Sequence, residues 1–209
     1  MKASNINKIL KQLTKNYPNP QTELNYKNPY TFLIAVVLSA QSTDVSVNKS
    51  TKDLFKIVNN PKSMIKLGEK KLIKYIKTIG LYNTKAKNII KLSKILVKKY
   101  NCIIPKKFSE LTMLPGVGNK TASVYQNTIL KIPRIAVDTH VFRVSNRIGL
   151  VTTKTPDLTQ KELESKVPNN YLATAHHLLI LHGRRICKAQ NPLCGICSIR
   201  KNCYYYNKN

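Results

Sequence analysis

The chain has 209 residues, with 36 Lys or Arg against 9 Asp or Glu, for a formal charge of +27 at pH 7. A 42% share of hydrophobic residues excludes a simply disordered chain, and the length suffices for one large core or two small ones. The longest apolar stretch, Phe32 to Leu38, falls far short of the ~20 residues that span a bilayer, and Met1 to Leu13 alternates Lys and Asn with Ile and Leu rather than carrying the apolar block of a signal peptide. A soluble, cytoplasmic protein with no membrane partner is expected.

Apolar spacing is helical almost everywhere. Asn28 and Pro29 read as a cap and first-turn proline leading into the apolar run Tyr30 to Ala40, where β-branched residues leave strand as an alternative. After Asp44, a second candidate cap, Val47, Thr51, Leu54, Phe55 and Val58 fall on one helical face that Pro61 ends. Leu72, Ile73, Ile76 and Ile79 form a face that stops at Gly80, and a face from Ala86 to Tyr100 follows a candidate cap at Asn83. Further helices are predicted over Phe108 to Leu114, Asn119 to Leu130, Thr139 to Ile148 ending at Gly149, Leu158 to Val167 ending at Pro168, and Tyr171 to His182 ending at Gly183. No stretch alternates with period two between hairpin turns, so the predicted class is all-α.

The charge excess points to a standing anionic partner, nucleic acid before an acidic membrane surface. Only six of the 36 basic residues are Arg (Arg134, Arg143, Arg147, Arg184, Arg185 and Arg200) and the other 30 are Lys. Nucleotide bias alone also produces a lysine-coated surface, so charge by itself does not separate DNA binding from a solvated exterior.

Three constellations carry chemistry. The first is Leu114-Pro115-Gly116-Val117-Gly118-Asn119-Lys120, a helix-hairpin-helix signal. Gly116 and Gly118 permit a tight turn whose amides, at the positive end of the next helix, could take one phosphate, although the same turn can simply connect two antiparallel helices. Lys120 lies in that helix's first turn, where the dipole and a desolvating pocket would both favour the neutral amine that a Schiff-base nucleophile needs. For one lysine among 30, a solvated or phosphate-pairing side chain is the alternative.

The second constellation is Val137-Asp138-Thr139-His140. Asp138 or Thr139 reads as a helix cap, and Asp138 also as a carboxylate able to take a proton or stabilise a cationic sugar. The third is Cys187, Cys194, Cys197 and Cys203 in a C-x6-C-x2-C-x5-C spacing. Four thiolates within 17 residues point to a metal centre. Structural zinc favours two close pairs, whereas only Cys194 and Cys197 form one here, and the uneven gaps suit a [4Fe-4S] cluster better. Cys102, next to Ile103 and Ile104, reads as a small buried hydrophobe. His176, His177 and His182 read as helix-face histidines without catalytic duty, and Tyr204 to Tyr206 as packing over the cysteine region.

Taken in order, Leu38-Ser39-Ala40-Gln41, Ile79-Gly80-Leu81-Tyr82-Asn83, Leu114 to Lys120, Ala136 to His140, Leu181-His182-Gly183 and the cysteine spacing resemble the bacterial endonuclease III group of DNA glycosylases with AP-lyase activity, over essentially the whole chain. The resemblance implies two helical domains: a barrel over 22–132 containing the hairpin, and a discontinuous domain of 1–21 plus 133–209 carrying the cluster on the four cysteines. It implies that a monomer acts on double-stranded DNA holding an oxidised pyrimidine or an abasic site, near the nucleoid. Lys120 would be the nucleophile and Asp138 the catalytic carboxylate. Gln41 and Leu81 would fill the hole left by the flipped nucleotide, and Gly116 and Gly118 would bind its backbone.

In one respect the sequence departs from that group, whose first cluster loop is usually rich in Lys and Arg. Here Lys188 is followed by Ala189, Gln190, Asn191, Pro192 and Leu193, with Arg184, Arg185, Arg200 and Lys201 flanking the cluster. Dispersed lysines are expected to supply general DNA attraction in its place. Two rivals remain at the level of sequence. One is a non-catalytic hairpin module with structural zinc. The other is a related adenine glycosylase, a group that usually lacks the lysine and has a further carboxy-terminal domain, whereas this chain has Lys120 and ends six residues after Cys203.

Overall fold

A computed structural model describes residues 3–208; Met1, Lys2 and Asn209, the outer ends of the expected discontinuous domain, lie outside the described residues. Among the described residues all regular structure is helical: thirteen α-helices, two short 3-10 turns and no strand. The chain forms two compact units, one spanning Glu23–Leu130, the other joining the amino-terminal segment through Thr22 to the chain from Lys131 onward. Each has its own hydrophobic core. Helix α1 (Ala3–Asn16) belongs to the second unit.

The 23–130 unit is organised around α2 (Pro29–Ser39). Asn28 accepts from the Thr31 amide at 2.9 Å and Thr31 Oγ1 accepts from the Asn28 amide at 2.9 Å, a reciprocal capping box with Pro29 at the first helical position. These start signals and the length of the run decide for helix over strand. Residues 30–38 are all buried, so α2 is a central helix with apolar neighbours on every side. Each buried Leu, Ile, Val or Phe there contributes about 1.5–3 kcal/mol over its exposed state.

Around α2 pack α3 (Asp44–Ile57), α6 (Tyr82–Tyr100) and α8 (Asn119–Thr128); α4 (Pro61–Leu67) and α5 (Glu69–Ile76) lie on α6, and α7 (Phe108–Thr112) on α8. Three local expectations shift. Thr43, not Asp44, caps α3, its hydroxyl accepting from the Ser46 amide at 3.2 Å, while Asp44 sits one residue inside, where its charge opposes the helix dipole favourably. Helix α6 begins from Leu81 rather than Asn83. Cys102 is half-buried rather than buried: Asn101 and Cys102 leave α6 in left-handed backbone, at φ 47° and 65°, which turns the chain outward.

In the second unit α1 buries Ile6, Ile9, Leu10 and Leu13. α9 (Thr139–Ile148), α10 (Pro156–Lys166), α11 (Asn169–Leu172), α12 (Ala175–Arg185) and α13 (Tyr204–Lys208) complete it. The predicted helix from Tyr171 to His182 is two helices, α11 and α12, and Gly183 does not end the second. A Cβ on Gly183 would lie 3.0 Å from Val144 Cγ2 and 3.1 Å from His140 Cβ, so this glycine serves the close approach of α9 to α12. No described helix is long and apolar enough to cross a membrane.

Candidate active site and metal centre

The hairpin between α7 and α8 is held by its apolar residues. Leu111, Leu114 and Val117 are buried, while Gly116, Gly118, Asn119 and Lys120 face outward. Gly116 has φ 82°, which favours glycine, and a Cβ there would lie a tight 3.1 Å from Asn88 Cβ. Gly118 caps α8 with no side-chain hydrogen bond, and a Cβ there would meet nothing within 4 Å, so the glycine itself faces open space. Lys120 projects from the first turn of α8 and is exposed, so the hairpin alone does not build the desolvating pocket expected for it.

Gln41 and Leu81 lie in the same unit, on two turns that touch. Both are exposed, and both adopt left-handed backbone, at φ 55° and 58°, a conformation that costs about 1–2 kcal/mol for a residue other than glycine. Such strain persists only where the surroundings impose it.

Asp138 belongs to the other unit. Its Oδ1 accepts from the Val141 amide at 2.8 Å, so it caps α9 as expected, and its side chain is half-buried. The strand-like approach to it is fixed by Glu164 on α10, which accepts from the Ile135 amide at 3.0 Å and pairs with Arg134 at 3.3 Å. On the next turn, burial lowers the His140 pKa, and Arg143 and Arg184 push the same way against the opposing effect of Asp138.

All five cysteines are unpaired thiols. Cys187, Cys194, Cys197 and Cys203 line one cavity with Ile148, His182, Ile186, Leu193 and Tyr205. Among the described residues, no group of three Cys, His, Asp or Glu side chains closes on a single ion. Four thiolates are the donor set of a [4Fe-4S] cluster as well as of a structural zinc, and the lining of this cavity supplies four. Burial raises the pKa of Cys197 and Cys203, and the neighbouring thiolates raise both further, so four thiolates here call for compensating positive charge.

Residues 34–169 match the HhH-GPD superfamily of base excision DNA repair proteins. The chain is 54% identical to endonuclease III of Rickettsia conorii over 206 residues, covering 99% of this chain and 98% of that one. With endonuclease III of Escherichia coli K12 it shares 49% identity over 200 residues, or 96% and 95% of the two chains. The chain belongs to the endonuclease III family. Its fold is similar to that of a trapped covalent endonuclease III–DNA intermediate, with TM-score 0.94 and 41% identity over 100% of this chain and 98% of that one. The resemblance drawn from the hairpin, the Asp138 segment and the cysteine spacing therefore holds.

Within this family member, the roles of two arginines near the cysteines escaped the sequence reading. Arg143 and Arg147, one turn apart on α9, grip the end of α12 and the segment that follows it: Arg143 donates to the Gly183 and Cys187 carbonyls at 3.1 Å, and Arg147 to those of Lys188 at 2.6 Å and Ala189 at 2.8 Å. Their i,i+4 spacing was the only available signal. His182 is buried with Nε2 3.7 Å from Cys197 Sγ, and burial lowers its pKa to about 4. Tyr205 and Tyr206 line the cysteine cavity, as expected, and the Tyr205 ring lies under the Arg147 guanidinium at 5.2 Å.

Proposed function

We propose that this protein removes oxidised pyrimidines from duplex DNA and cleaves the resulting abasic site, acting as a monomer in the bacterial cytoplasm at the nucleoid. The observation that carries the reading is Lys120, an exposed amine in the first turn of α8 directly after an open glycine turn, in a chain whose fold is similar to that of an endonuclease III held covalently to DNA. A phosphate on the amides beyond Gly118 would set the sugar next to this amine.

Extrusion of the damaged nucleotide costs a few kcal/mol, least for a poorly stacked base. Gln41 and Leu81 offset part of that by filling the vacated stack. The Lys120 amine attacks C1′, a C–N bond forms, and the glycosidic bond breaks with its electron pair leaving on the base. Asp138 stabilises the positive charge that develops on the sugar and accepts a proton from the attacking amine. The C1′–O4′ bond then opens, its electron pair leaving on O4′, which takes up a proton, and the iminium so formed acidifies C2′–H. Loss of that proton drives the electrons toward C3′, breaks the C3′–O3′ bond, and nicks the strand on the 3′ side.

Cys187, Cys194, Cys197 and Cys203 would hold a [4Fe-4S] cluster, whose four thiolate bonds supply a rigid, charge-compensated anchor and no redox step in this chemistry. Arg143 and Arg147 shape the adjoining loop through its carbonyls. That loop offers only Lys188 as a basic residue between Cys187 and Cys194, so phosphate contact falls to the exposed Arg184, Arg185, Arg200 and Lys201 around it.

Borohydride reduction on abasic duplex is expected to trap a covalent protein–DNA complex, and Lys120→Gln to abolish it. Undiminished trapping by the variant would overturn the lysine assignment, and absence of trapping in the native protein would favour a non-catalytic hairpin module. Purified protein is expected to be yellow-brown, and a colourless protein holding stoichiometric zinc would overturn the cluster.

A further inference from the structure

Among the described residues, Lys85 is the only Lys, Arg, Asp or Glu that is buried, at 6% exposure. It sits in the first turn of α6 with three acceptors around its ammonium. Nζ donates to the Leu38 carbonyl at 2.8 Å, the Ala40 carbonyl at 2.5 Å and Ser42 Oγ at 3.2 Å. All three acceptors are neutral, and burial lowers the pKa of the ammonium. The chain thus keeps a cation where an apolar residue would be easier to bury.

The acceptors explain the arrangement. The Leu38 and Ala40 carbonyls belong to the C-terminal end of α2, where carbonyls lack intrahelical partners and carry the negative end of the dipole. Ala40 and Ser42 flank Gln41, so one ammonium grips the chain on both sides of that left-handed residue. Four residues before Lys85 stands Leu81, also left-handed, whose carbonyl accepts from the Lys85 amide at 3.0 Å. Between the two turns Gly80 lies so close that a Cβ on it would be 3.4 Å from the Gln41 carbonyl oxygen. No neutral side chain offers three donors from one atom at the end of a chain long enough to reach all three oxygens.

We propose that Lys85 is a positioning residue that locks the Gln41 and Leu81 turns together as one preformed double wedge for insertion into the DNA stack. The proposal rests on the hole-filling roles assigned above to Gln41 and Leu81. Lys85 itself touches no DNA; it fixes the spacing between two residues that do, and spares the enzyme the cost of ordering them on binding.

The test compares single-turnover strand cleavage at an abasic site in duplex and in single-stranded DNA, because only the duplex has a stack to open. The readout is the duplex-to-single-strand rate ratio, which a general loss of folded enzyme leaves unchanged. Lys85→Met is expected to lower that ratio about tenfold or more, since a misplacement of about 1 Å in positioned groups can cost about 100-fold. The double variant Gln41→Ala, Leu81→Ala is expected to lower it likewise, and adding Lys85→Met to that pair to lower it no further. If the wedge pair lowers the ratio while Lys85→Met leaves it alone, or multiplies the pair's effect, the clamp is wrong and the wedge stands. If the wedge pair leaves the ratio alone, the wedge is wrong and the clamp falls with it. Should Lys85→Met not fold, Lys85→Gln, with a shorter donor chain, takes its place under the same criteria.

Discussion

The corner formed by Gln41 and Leu81 and the segment 187–203 are both irregular and largely exposed, yet they are held by opposite means. Behind the first lies α2 with nine consecutive buried residues, and a buried lysine binds its turns through backbone oxygens. The second has only two 3-10 turns and exposes Ile196 at 73%. It is held by arginines gripping its carbonyls and by four sulfurs around a cavity. The first region is shaped by the protein's own core, whereas the second would be completed by the cluster proposed for its four sulfurs. A surface proposed to enter a DNA stack would gain from being rigid beforehand; a loop anchored by the proposed ligand bonds would need little core of its own.

The sharpest way to break this contrast is to weaken the core behind the first region. Phe32, fully buried on α2, is expected to cost about 3–5 kcal/mol on replacement by Ala, read by denaturant unfolding. A loss under about 1 kcal/mol would mean that α2 is not the organising element.

Loss of a sulfur should act more locally. Cys194→Ala is expected to abolish the iron chromophore and open 187–203 to limited proteolysis while far-ultraviolet circular dichroism keeps nearly all its helical signal. Collapse of the helical signal would erase the distinction, since the cysteine-bound centre would then be supporting the whole unit.

The smallest effect on stability separates capping from chemistry at Asp138. Asp138→Asn keeps an oxygen acceptor for the Val141 amide and is expected to melt close to the native protein, whereas Asp138→Ala should lose about 1 kcal/mol with the cap. Both are expected to lose base release. Full activity in Asp138→Asn would reduce this residue to its cap.

Much of the fold was legible because its signals are local. The caps at Asn28 and Asp138, the proline at 29, the glycine turn at 116–118 and the helical faces each depend on neighbours within a few residues. So does the cysteine spacing that pointed to a metal centre. Errors arose where distant residues or the local backbone conformation intervene. Gly183 looked like a helix end and instead lets α9 approach α12. Cys102, flanked by apolar residues, is turned outward by left-handed backbone at the end of α6. The exposure of Lys120 was equally unreadable, because a desolvating pocket is a property of surroundings and not of a helix turn.

The helical class, the hairpin carrying Lys120, the family and the four cysteines that line one cavity are written in residue type and spacing along the chain. Only the tertiary structure singled out Lys85 among 30 lysines and brought Gln41 against the turn of Leu81. The physical reason is that burial and the direction of a hydrogen bond arise between segments 39 to 47 residues apart, and spacing along the chain carries no record of them.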